Sequence, residues 1–299
     1  MEKLSFIAKD GKEIRYRVWR AKETKGLLQI SHGMAESPVR YDAFACFMAE
    51  NGYTVFADDH RAHGDTDNSS GYSDGDIFAL SVSDMAELNE RMRSEYPDKK
   101  LIFFGHSYGS FLSQAFLEEH GDLADGFVIG GSAYMAGALS AAGGAIAKIN
   151  CFFGKSKKPA KLLADMSFGS YNSKYKDGST FISSLKEECE RYEKDPECGF
   201  VLSYNFYRSM FSAFGRIYKK KAYEKIDRAK PVFIISGAED PVGGYGKLTA
   251  KLYDFYVDKV GMESVELKLY DGVRHEYLND ISREAAYNDI LSFCNDITE

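Results

Sequence analysis

Residues 105–109, Gly-His-Ser-Tyr-Gly, have the types and spacing of a site for nucleophilic chemistry. The apolar run at residues 100–104 is typical of a strand, and the apolar spacing over residues 110–119 is typical of a helix. A Gly-x-Ser-x-Gly turn between a strand and a helix is a nucleophile elbow, which holds the serine in a strained conformation at the edge of the sheet. The helix N-terminus behind the serine favours negative charge. The pattern therefore predicts that Ser107 is a nucleophile.

A serine hydroxyl is a weak nucleophile and needs a base that is itself oriented by a carboxylate. With this kind of elbow the chain order is serine, acid, histidine. Of six histidines, only His275 lies C-terminal to a late acid candidate, in the loop after the last predicted strand. The acid is expected after the strand that ends at Gly237, and we favour Asp240 because a short side chain before proline is held rigidly. Glu239 remains the alternative acid.

Two backbone N–H groups are needed to hold the oxyanion of a tetrahedral intermediate. One is the amide of Tyr108, directly after the serine. The other is expected from the loop after an early strand, where His32, Gly33 and Met34 are consecutive. We predict that the Met34 amide is the second donor, that Gly33 lets the backbone turn, and that His32 packs against the loop.

Short apolar runs indicate the strands that position these residues. Residues 3–20 alternate between apolar and polar about a turn and predict a β-hairpin. Further strands are predicted at residues 26–31, 53–57, 100–104, 126–130, 231–237 and 265–270. Helices are predicted at residues 41–51, 83–96, 110–119, 248–260 and 282–295, with Ser83 as the N-cap of the second.

Strands that alternate with helices predict an α/β fold, with a mainly parallel, doubly wound sheet and helices on both faces. Residues 134–230 break this alternation: they begin with small residues and then become basic and aromatic. We predict that they form a helical cap inserted between two late strands, over the carboxyl ends of the strands, where open sheets bind ligands. The core domain would then comprise residues 1–133 and 231–299.

The composition is that of an ordinary globular protein, with 44% hydrophobic and 28% charged residues. A net charge of −7 argues against a nucleic-acid partner, because phosphate binding needs a basic surface. The N-terminus has no apolar run that would predict a signal peptide, and no run of eighteen apolar residues predicts a membrane span. Five scattered cysteines without a C-x-x-C pair favour free thiols in the cytoplasm.

Residues 58–63, Asp-Asp-His-Arg-Ala-His, contain metal-binding residue types. They have no second ligand group elsewhere in the chain, and their spacing differs from that of zinc hydrolases. We interpret this stretch as a bracing loop with internal hydrogen bonds, and we expect neither a metal nor a cofactor.

These motifs together resemble the α/β-hydrolases of the monoacylglycerol lipase and lysophospholipase-like group, which are often catalogued with serine aminopeptidases. The matching residues are 32–33, 59–64, 105–109, 236–243 and 274–276, and they occur in the family's order. The resemblance implies an eight-stranded sheet, a triad of Ser107, Asp240 and His275, and oxyanion amides from Met34 and Tyr108. This sequence departs from the family pattern in two places, with Ala62 and Ser110 where glycines are usual.

The predicted cap carries a charge of opposite sign to the rest of the chain. Residues 134–230 contain 18 Lys and Arg against 10 Asp and Glu, whereas the remainder contains 20 against 35. The basic cap is either a solvated face or a surface that attracts anionic lipid, so transient contact with a membrane surface is one expectation. Several aromatic residues of the cap are candidates for lining an acyl channel: Phe152, Phe153, Phe168, Phe200, Tyr204, Phe206, Tyr207, Phe211 and Phe214.

The leading hypothesis is a cofactor-free serine hydrolase that cleaves acyl glycerol or lysophospholipid esters through an acyl-enzyme. The second is a peptidase that removes N-terminal residues, as proline iminopeptidases do, although gripping a cationic amine needs carboxylates, of which the cap has few. The third is a non-catalytic binding protein, which would be expected to lack a triad residue, and none is missing here. The sequence alone does not identify the substrate-binding residues or the oligomeric state.

Overall fold

The computed structural model describes residues 1–175 and 179–299, with the side chains of Ser167 and Phe168 left undescribed. Within these residues, eight strands form one sheet in the order β1-β2-β4-β3-β5-β6-β7-β8. The strands are β1 (Glu2–Ile7), β2 (Glu13–Trp19), β3 (Gly26–Ser31), β4 (Tyr53–Asp58), β5 (Lys100–His106), β6 (Gly126–Gly130), β7 (Val232–Gly237) and β8 (Val265–Tyr270).

Six of the strands run parallel and bring their carboxyl ends to one edge of the sheet. β1 pairs antiparallel with β2, and β2 pairs antiparallel with β4, while every other pairing is parallel. In the register, His106 at the end of β5 is opposite Gly130 at the end of β6. Loops that follow β3, β5, β7 and β8 therefore lie close together at this edge.

The helices pack on both faces of the sheet and in the connection between β6 and β7. Among the described residues they are α1 (Asp42–Glu50), α2 (Gly64–Asp67), α3 (Ile77–Glu95), α4 (Tyr108–His120), α5 (Ala138–Phe152), α6 (Lys161–Ala164), α7 (Ser170–Asn172), α8 (Lys186–Lys194), α9 (Tyr204–Phe214), α10 (Lys220–Tyr223), α11 (Lys247–Asp254) and α12 (Arg283–Thr298). Single π-helical stretches, Asp165–Gly169 and Phe255–Val260, follow α6 and α11.

Two apolar cores separate the faces of the sheet, because successive side chains of a strand point to opposite sides. On β5, Leu101 and Phe103 contribute to the core under α3 and α4, whereas Ile102 and Phe104 contribute to the core under α1 and α12. All four side chains are fully buried. This burial on both faces explains why the central strands appear in the sequence as uninterrupted apolar runs.

The doubly wound α/β fold predicted from the sequence is confirmed, and each predicted strand is present with its ends shifted by at most two residues. The prediction of Ser83 as a helix N-cap is wrong. Helix α3 begins at Ile77, and the N-cap is Asp76, whose carboxylate accepts a hydrogen bond from the N–H of Ala79 at 3.3 Å. The first turn of α3 was missed because its apolar residues, Ile77 and Phe78, are buried beside α9 and lack an amphipathic pattern.

Residues 134–230, called here the 134–230 segment, connect β6 to its parallel neighbour β7 and contain α5 to α10. The interpretation of this segment as a separate cap stays a prediction. Among the described residues, no helix is both long enough and apolar enough to cross a bilayer.

Candidate active site

Ser107 occupies the tight turn between β5 and α4. Its backbone has φ +53° and ψ −119°, a left-handed conformation that a residue with a side chain adopts only under strain. The turn is held by the N–H of Ser107, which donates to the carbonyl of Gly130 at 2.9 Å, and by the Ser110 hydroxyl, which donates to the Ser107 carbonyl at 2.5 Å. The serine at position 110, where the family usually has glycine, therefore contributes to the turn.

The two glycines of the motif are required by close backbone contacts. A Cβ added at Gly105 would lie 2.0 Å from the hydroxyl of Ser113 and 2.4 Å from the carbonyl oxygen of Gly109. A Cβ at Gly109 would lie 2.0 Å from the carbonyl oxygen of Ser31. All three distances are far inside van der Waals contact, so helix α4 approaches β3 and β5 only because these residues have no side chain.

Asp240 and His275 are paired by a hydrogen bond of 2.9 Å between Oδ2 and Nδ1. Both side chains are buried, and the carboxylate also accepts from the N–H of Val242 at 2.8 Å and from the Ser236 hydroxyl at 3.2 Å. An ionised carboxylate can only accept, so Nδ1 of His275 carries a proton and Nε2 is free to act as a base. Glu239, the alternative acid, is exposed.

The electrostatic environment of His275 favours its charged form. Burial, the largest single effect, would lower the pKa of this imidazole, but the carboxylates of Asp240, Glu276 and Glu36 together outweigh burial, so the pKa of His275 is raised above its ordinary value. The ring of His275 extends over the end of β6, where Gly131 leaves room for it. A Cβ at Gly131 would lie 3.3 Å from Cε1 of His275 and 2.8 Å from Cε1 of His106, the neighbour of Ser107.

The predicted oxyanion amides belong to the loop after β3 and to the start of α4. The neighbours of Met34 are both anchored: the N–H of Gly33 donates to Glu36, and the N–H of Ala35 donates to His63 at 3.0 Å. Tyr108 is the first residue of α4, where a helix N–H has no intrahelical acceptor. The role of both amides stays a prediction.

Gly33 is needed for a reason that differs from the predicted one. Its φ is not in the left-handed region, so the glycine is not required by a turn. A Cβ at this position would instead lie 2.5 Å from Oε1 of Glu36 and 3.3 Å from Cβ of Ser107. The glycine therefore allows the loop after β3 to approach the serine closely.

Three buried imidazoles brace the loop after β3, as expected for His32 and for the stretch 58–63. The ring of His32 stacks on that of His60 at 4.0 Å, and its Nε2 accepts from the N–H of His60 at 3.1 Å. His60 in turn donates to Asp58 at 2.8 Å. Burial lowers the pKa of His32 well below its usual value and that of His63 to about 3, so both rings are neutral. Among the described residues, no cluster of three His, Cys, Asp or Glu side chains could hold a metal ion.

An apolar pocket opens beside Ser107 and is covered by the 134–230 segment. Its lining includes Phe111 and Met34 from the sheet side and Leu163, Tyr207 and Met210 from the segment. Further aromatic walls are Phe211 and Phe214.

The other aromatic candidates whose side chains the structure describes do not line this pocket. Phe206 is buried against the ring of Tyr108 at 4.7 Å, and Phe200 packs on His63 at 5.3 Å. Tyr204 packs against the core under α3 and α4, Phe152 and Phe153 are exposed, and the side chain of Phe168 lies outside the described part of the chain.

The sequence did not indicate the residues that surround His275. The ring of Phe181 lies 5.6 Å from the imidazole, and the carbonyl of Phe181 accepts from the N–H of His275 at 3.2 Å. No local pattern marks Phe181, because its contact is made across 94 residues. Glu36 and Arg40 form an ion pair. Their spacing of four residues is the signal from which sequence reasoning could have found this pair.

The sheet order, the elbow and the positions of the predicted site residues together define an α/β-hydrolase. The family model described as serine aminopeptidase, S33, matches residues 22–282, and the chain belongs to this family, in the group that resembles monoacylglycerol lipases.

Known proteins similar to this chain include two lipases and one esterase. The monoglyceride lipase of Mus musculus is 26% identical over 271 residues, which cover 89% of this chain and 80% of that protein. The monoacylglycerol lipase of Mycolicibacterium smegmatis is 26% identical over 297 residues, which cover 97% of this chain and 95% of that protein. A highly thermostable carboxyl esterase from Bacillus coagulans, solved in complex with glycerol, superposes on this chain with a TM-score of 0.89 at 25% identity. The superposition covers 100% of this chain and 99% of the esterase.

Proposed function

We propose that the protein is a serine hydrolase that cleaves carboxylic esters of monoacylglycerol or lysophospholipid type through an acyl-enzyme. One observation carries this proposal: the strained Ser107 lies in the wall of an apolar pocket, at the edge of the sheet where His275 and Asp240 are paired. A nucleophile, a base and a site for an acyl chain are the three parts that ester cleavage by this route needs.

In the proposed mechanism, Nε2 of His275 takes the proton of Ser107 as Oγ attacks the ester carbonyl. The N–H groups of Met34 and Tyr108 stabilise the oxyanion. The alcohol leaves with the proton from His275, and an acyl ester on Ser107 remains. Water, deprotonated by the same imidazole, then releases the acid, while Asp240 keeps Nδ1 protonated and stabilises the imidazolium.

The pocket supports an acyl substrate better than a peptide. Among the described residues that line it, none is charged, so an acyl chain would be buried without cost from unpaired charges. An aminopeptidase would need a carboxylate there to bind the substrate ammonium group. The similarity to a monoglyceride lipase, a monoacylglycerol lipase and a carboxyl esterase supports an ester substrate.

An anionic lipid surface is part of the proposal, because helix α5 and the residue that follows it expose apolar side chains beside a basic stretch. Leu139, Phe152 and Phe153 are 79%, 84% and 70% exposed. Exposed lysines follow at positions 148, 155, 157, 158 and 161. Leu139 also lines the pocket beside Ser107, so a lipid that contacts α5 would be close to the acyl site.

The function is tested with p-nitrophenyl esters and monoacylglycerols graded by chain length, and with a fluorophosphonate that labels activated serines. Ser107→Ala is expected to abolish turnover and labelling, whereas Ser94→Ala, an exposed serine on α3, should keep both. Amino-acid anilides tested in parallel would reveal a peptidase. Wild-type protein that neither labels nor hydrolyses any ester would contradict the proposal.

Lipid contact is tested by co-sedimentation with vesicles of phosphatidylglycerol or phosphatidylcholine. We expect binding to the anionic vesicles, and a loss of binding when Phe152 and Phe153 are both replaced by serine. Equal recovery of wild type and variant in the supernatant would rule out this surface.

A further inference from the structure

Glu36 is a buried carboxyl group that the proposed mechanism does not use. Its side chain is about one twentieth exposed, and its Oε1 accepts hydrogen bonds from the N–H of Gly33 and, at 2.7 Å, from the hydroxyl of Tyr41. Gly33 immediately precedes Met34, so the bond from Glu36 fixes the peptide next to the predicted oxyanion donor. A displaced carboxylate would release this end of the loop.

Arg40 links Glu36 to the loop that carries His275. Its Nε lies 3.3 Å from Oε2 of Glu36, and its Nη2 forms an ion pair with Glu276, the residue directly after His275. All three side chains are less than a tenth exposed. A single guanidinium therefore bridges two carboxylates. One belongs to the loop that follows β3 and contains Met34, called here the oxyanion loop, and the other belongs to the loop that carries His275.

The 134–230 segment also contacts Arg40 and the oxyanion loop. The ring of Tyr192 on α8 lies 5.1 Å from the guanidinium of Arg40, and its hydroxyl donates to the carbonyl of Ala35 at 3.1 Å. The N–H of Gly199 donates to the same carbonyl at 2.9 Å. The oxyanion loop is thus fixed by two sets of hydrogen bonds: Gly33 donates to Glu36, and the carbonyl of Ala35 accepts from the 134–230 segment.

We propose that Glu36 is a positioning residue for the oxyanion loop, and that Arg40 and Glu276 couple its position to that of the His275 loop. This inference rests on the proposed function. It assigns Glu36 no contact with substrate, because its carboxylate acts through the Gly33 N–H.

The charge of the arrangement makes this role dependent on pH. Two buried carboxylates share one guanidinium, and burial, together with repulsion from Glu276, raises the pKa of Glu36 to about 7 against the opposing effect of Arg40. A protonated carboxyl accepts from Gly33 more weakly than a carboxylate does. The titratable and charged groups that face Glu36 are Arg40, Tyr41, Tyr192, Cys198, His275 and Glu276.

The test uses Glu36→Gln in the full chain, with hydrolysis of an aryl ester and inhibition by an aryl trifluoromethyl ketone, which forms a tetrahedral adduct with the serine. Because oxyanion contacts act in the transition state, we expect kcat to fall about 10-fold or more, with KM changed less than about twofold. The affinity for the ketone should fall by the same factor as kcat. Glu90→Gln, an exposed carboxylate on α3, is the matched control and should behave as wild type.

The pH profile separates positioning from a general loss of structure. The acidic limb of wild-type kcat/KM should be steeper than one proton predicts, and in Glu36→Gln it should follow the single proton of His275. If Glu36→Gln does not fold, Tyr41→Phe decides, since loss of its hydrogen bond should lower kcat and ketone affinity together.

Three results would overturn the inference. A folded Glu36→Gln with unchanged kcat, ketone affinity and pH profile would overturn the inference but leave the proposed function standing. If Glu36→Gln does not fold, unchanged kcat and ketone affinity in Tyr41→Phe would do the same. Wild-type protein that neither hydrolyses the ester nor binds the ketone would overturn the proposed function as well.

Discussion

The ring of His275 lies 4.8 Å from the ring of His106, the residue immediately before Ser107. His106 is buried, and both burial and the neighbouring His275 lower its pKa well below the usual value, so it stays neutral. A neutral ring beside the proposed base leaves the imidazolium of His275 unopposed by a second positive charge. The base can therefore gain its proton beside the carboxylate of Asp240 without repulsion from His106.

Activity is expected to fall as the pH drops through the pKa of His275. The imidazole must be neutral to accept the serine proton, and its pKa is raised, so the acidic limb of kcat/KM should lie above pH 6.5. Asp240→Asn should lower kcat by about 10⁴, because an amide does not fix the Nδ1–H tautomer. Stopped assays across pH 5 to 9 check both, with Glu239→Gln as the control that should retain activity. A limb below pH 6 in wild-type protein would contradict the raised pKa.

Gly109→Ala is expected to prevent stable folding of the elbow. The added Cβ would lie 2.0 Å from the backbone oxygen of Ser31, which belongs to a buried strand and cannot move aside. We expect a loss of at least about 3 kcal/mol, or insoluble protein. Gly121→Ala is the matched control, because its Cβ would meet only Leu117 at 3.6 Å. The midpoint of thermal unfolding is measured for both variants. Equal midpoints would show that the contact with Ser31 does not destabilise Gly109→Ala.

Ala62→Gly is expected to stabilise the protein. Ala62 has φ +74°, a left-handed conformation that costs a residue with a Cβ about 1–2 kcal/mol and glycine almost nothing. Glycine loses more backbone entropy on folding, so we expect a net gain of about 0.5–1 kcal/mol in the free energy of unfolding. Ala145→Gly, in the exposed middle of α5, should instead lose about 1 kcal/mol. Denaturant titrations measure both, and the same sign for the two substitutions would refute the argument.

Asp280→Asn is expected to loosen the loop of His275. The buried carboxylate accepts from the N–H of Arg274 at 3.1 Å, and from both the N–H, at 2.9 Å, and the hydroxyl of Ser184 in the 134–230 segment. An amide would turn a donor toward these donors, which should cost about 1–3 kcal/mol and lower kcat. Asp271→Asn, an exposed aspartate in the same loop, should stay within about 0.5 kcal/mol of wild type. Unchanged unfolding and activity in Asp280→Asn would refute this coupling.

The parts of the site that the sequence predicted are those encoded locally. The elbow at Ser107 could be recognised because its glycines and flanking elements lie within about twenty residues. Asp240 and His275 could be proposed from chain order, and they lie 2.9 Å apart. Their catalytic role stays a prediction.

The contacts of Phe181 and Glu276 could not be predicted, because each joins segments far apart in the chain, where no periodicity or turn signal operates. A Cβ at Gly33 would meet both Glu36, three residues away, and Ser107, 74 residues away, and the second of these contacts has no local signal in the sequence. Local patterns and chain order thus predicted the elements and the proposed reacting groups, whereas the residues around them are brought there by packing between distant segments.

The connection between β6 and β7 has a further consequence. Gly130 ends β6 at the carboxyl edge of the sheet, and Val232 begins β7 opposite Phe127 toward the amino edge, so the polypeptide between them leaves and rejoins the sheet in two adjacent strands. Insertions or deletions within this connection leave the order of the strands in the sheet unaltered. The part of the pocket wall that this connection supplies can therefore change in length or sequence without altering the strands that hold Ser107.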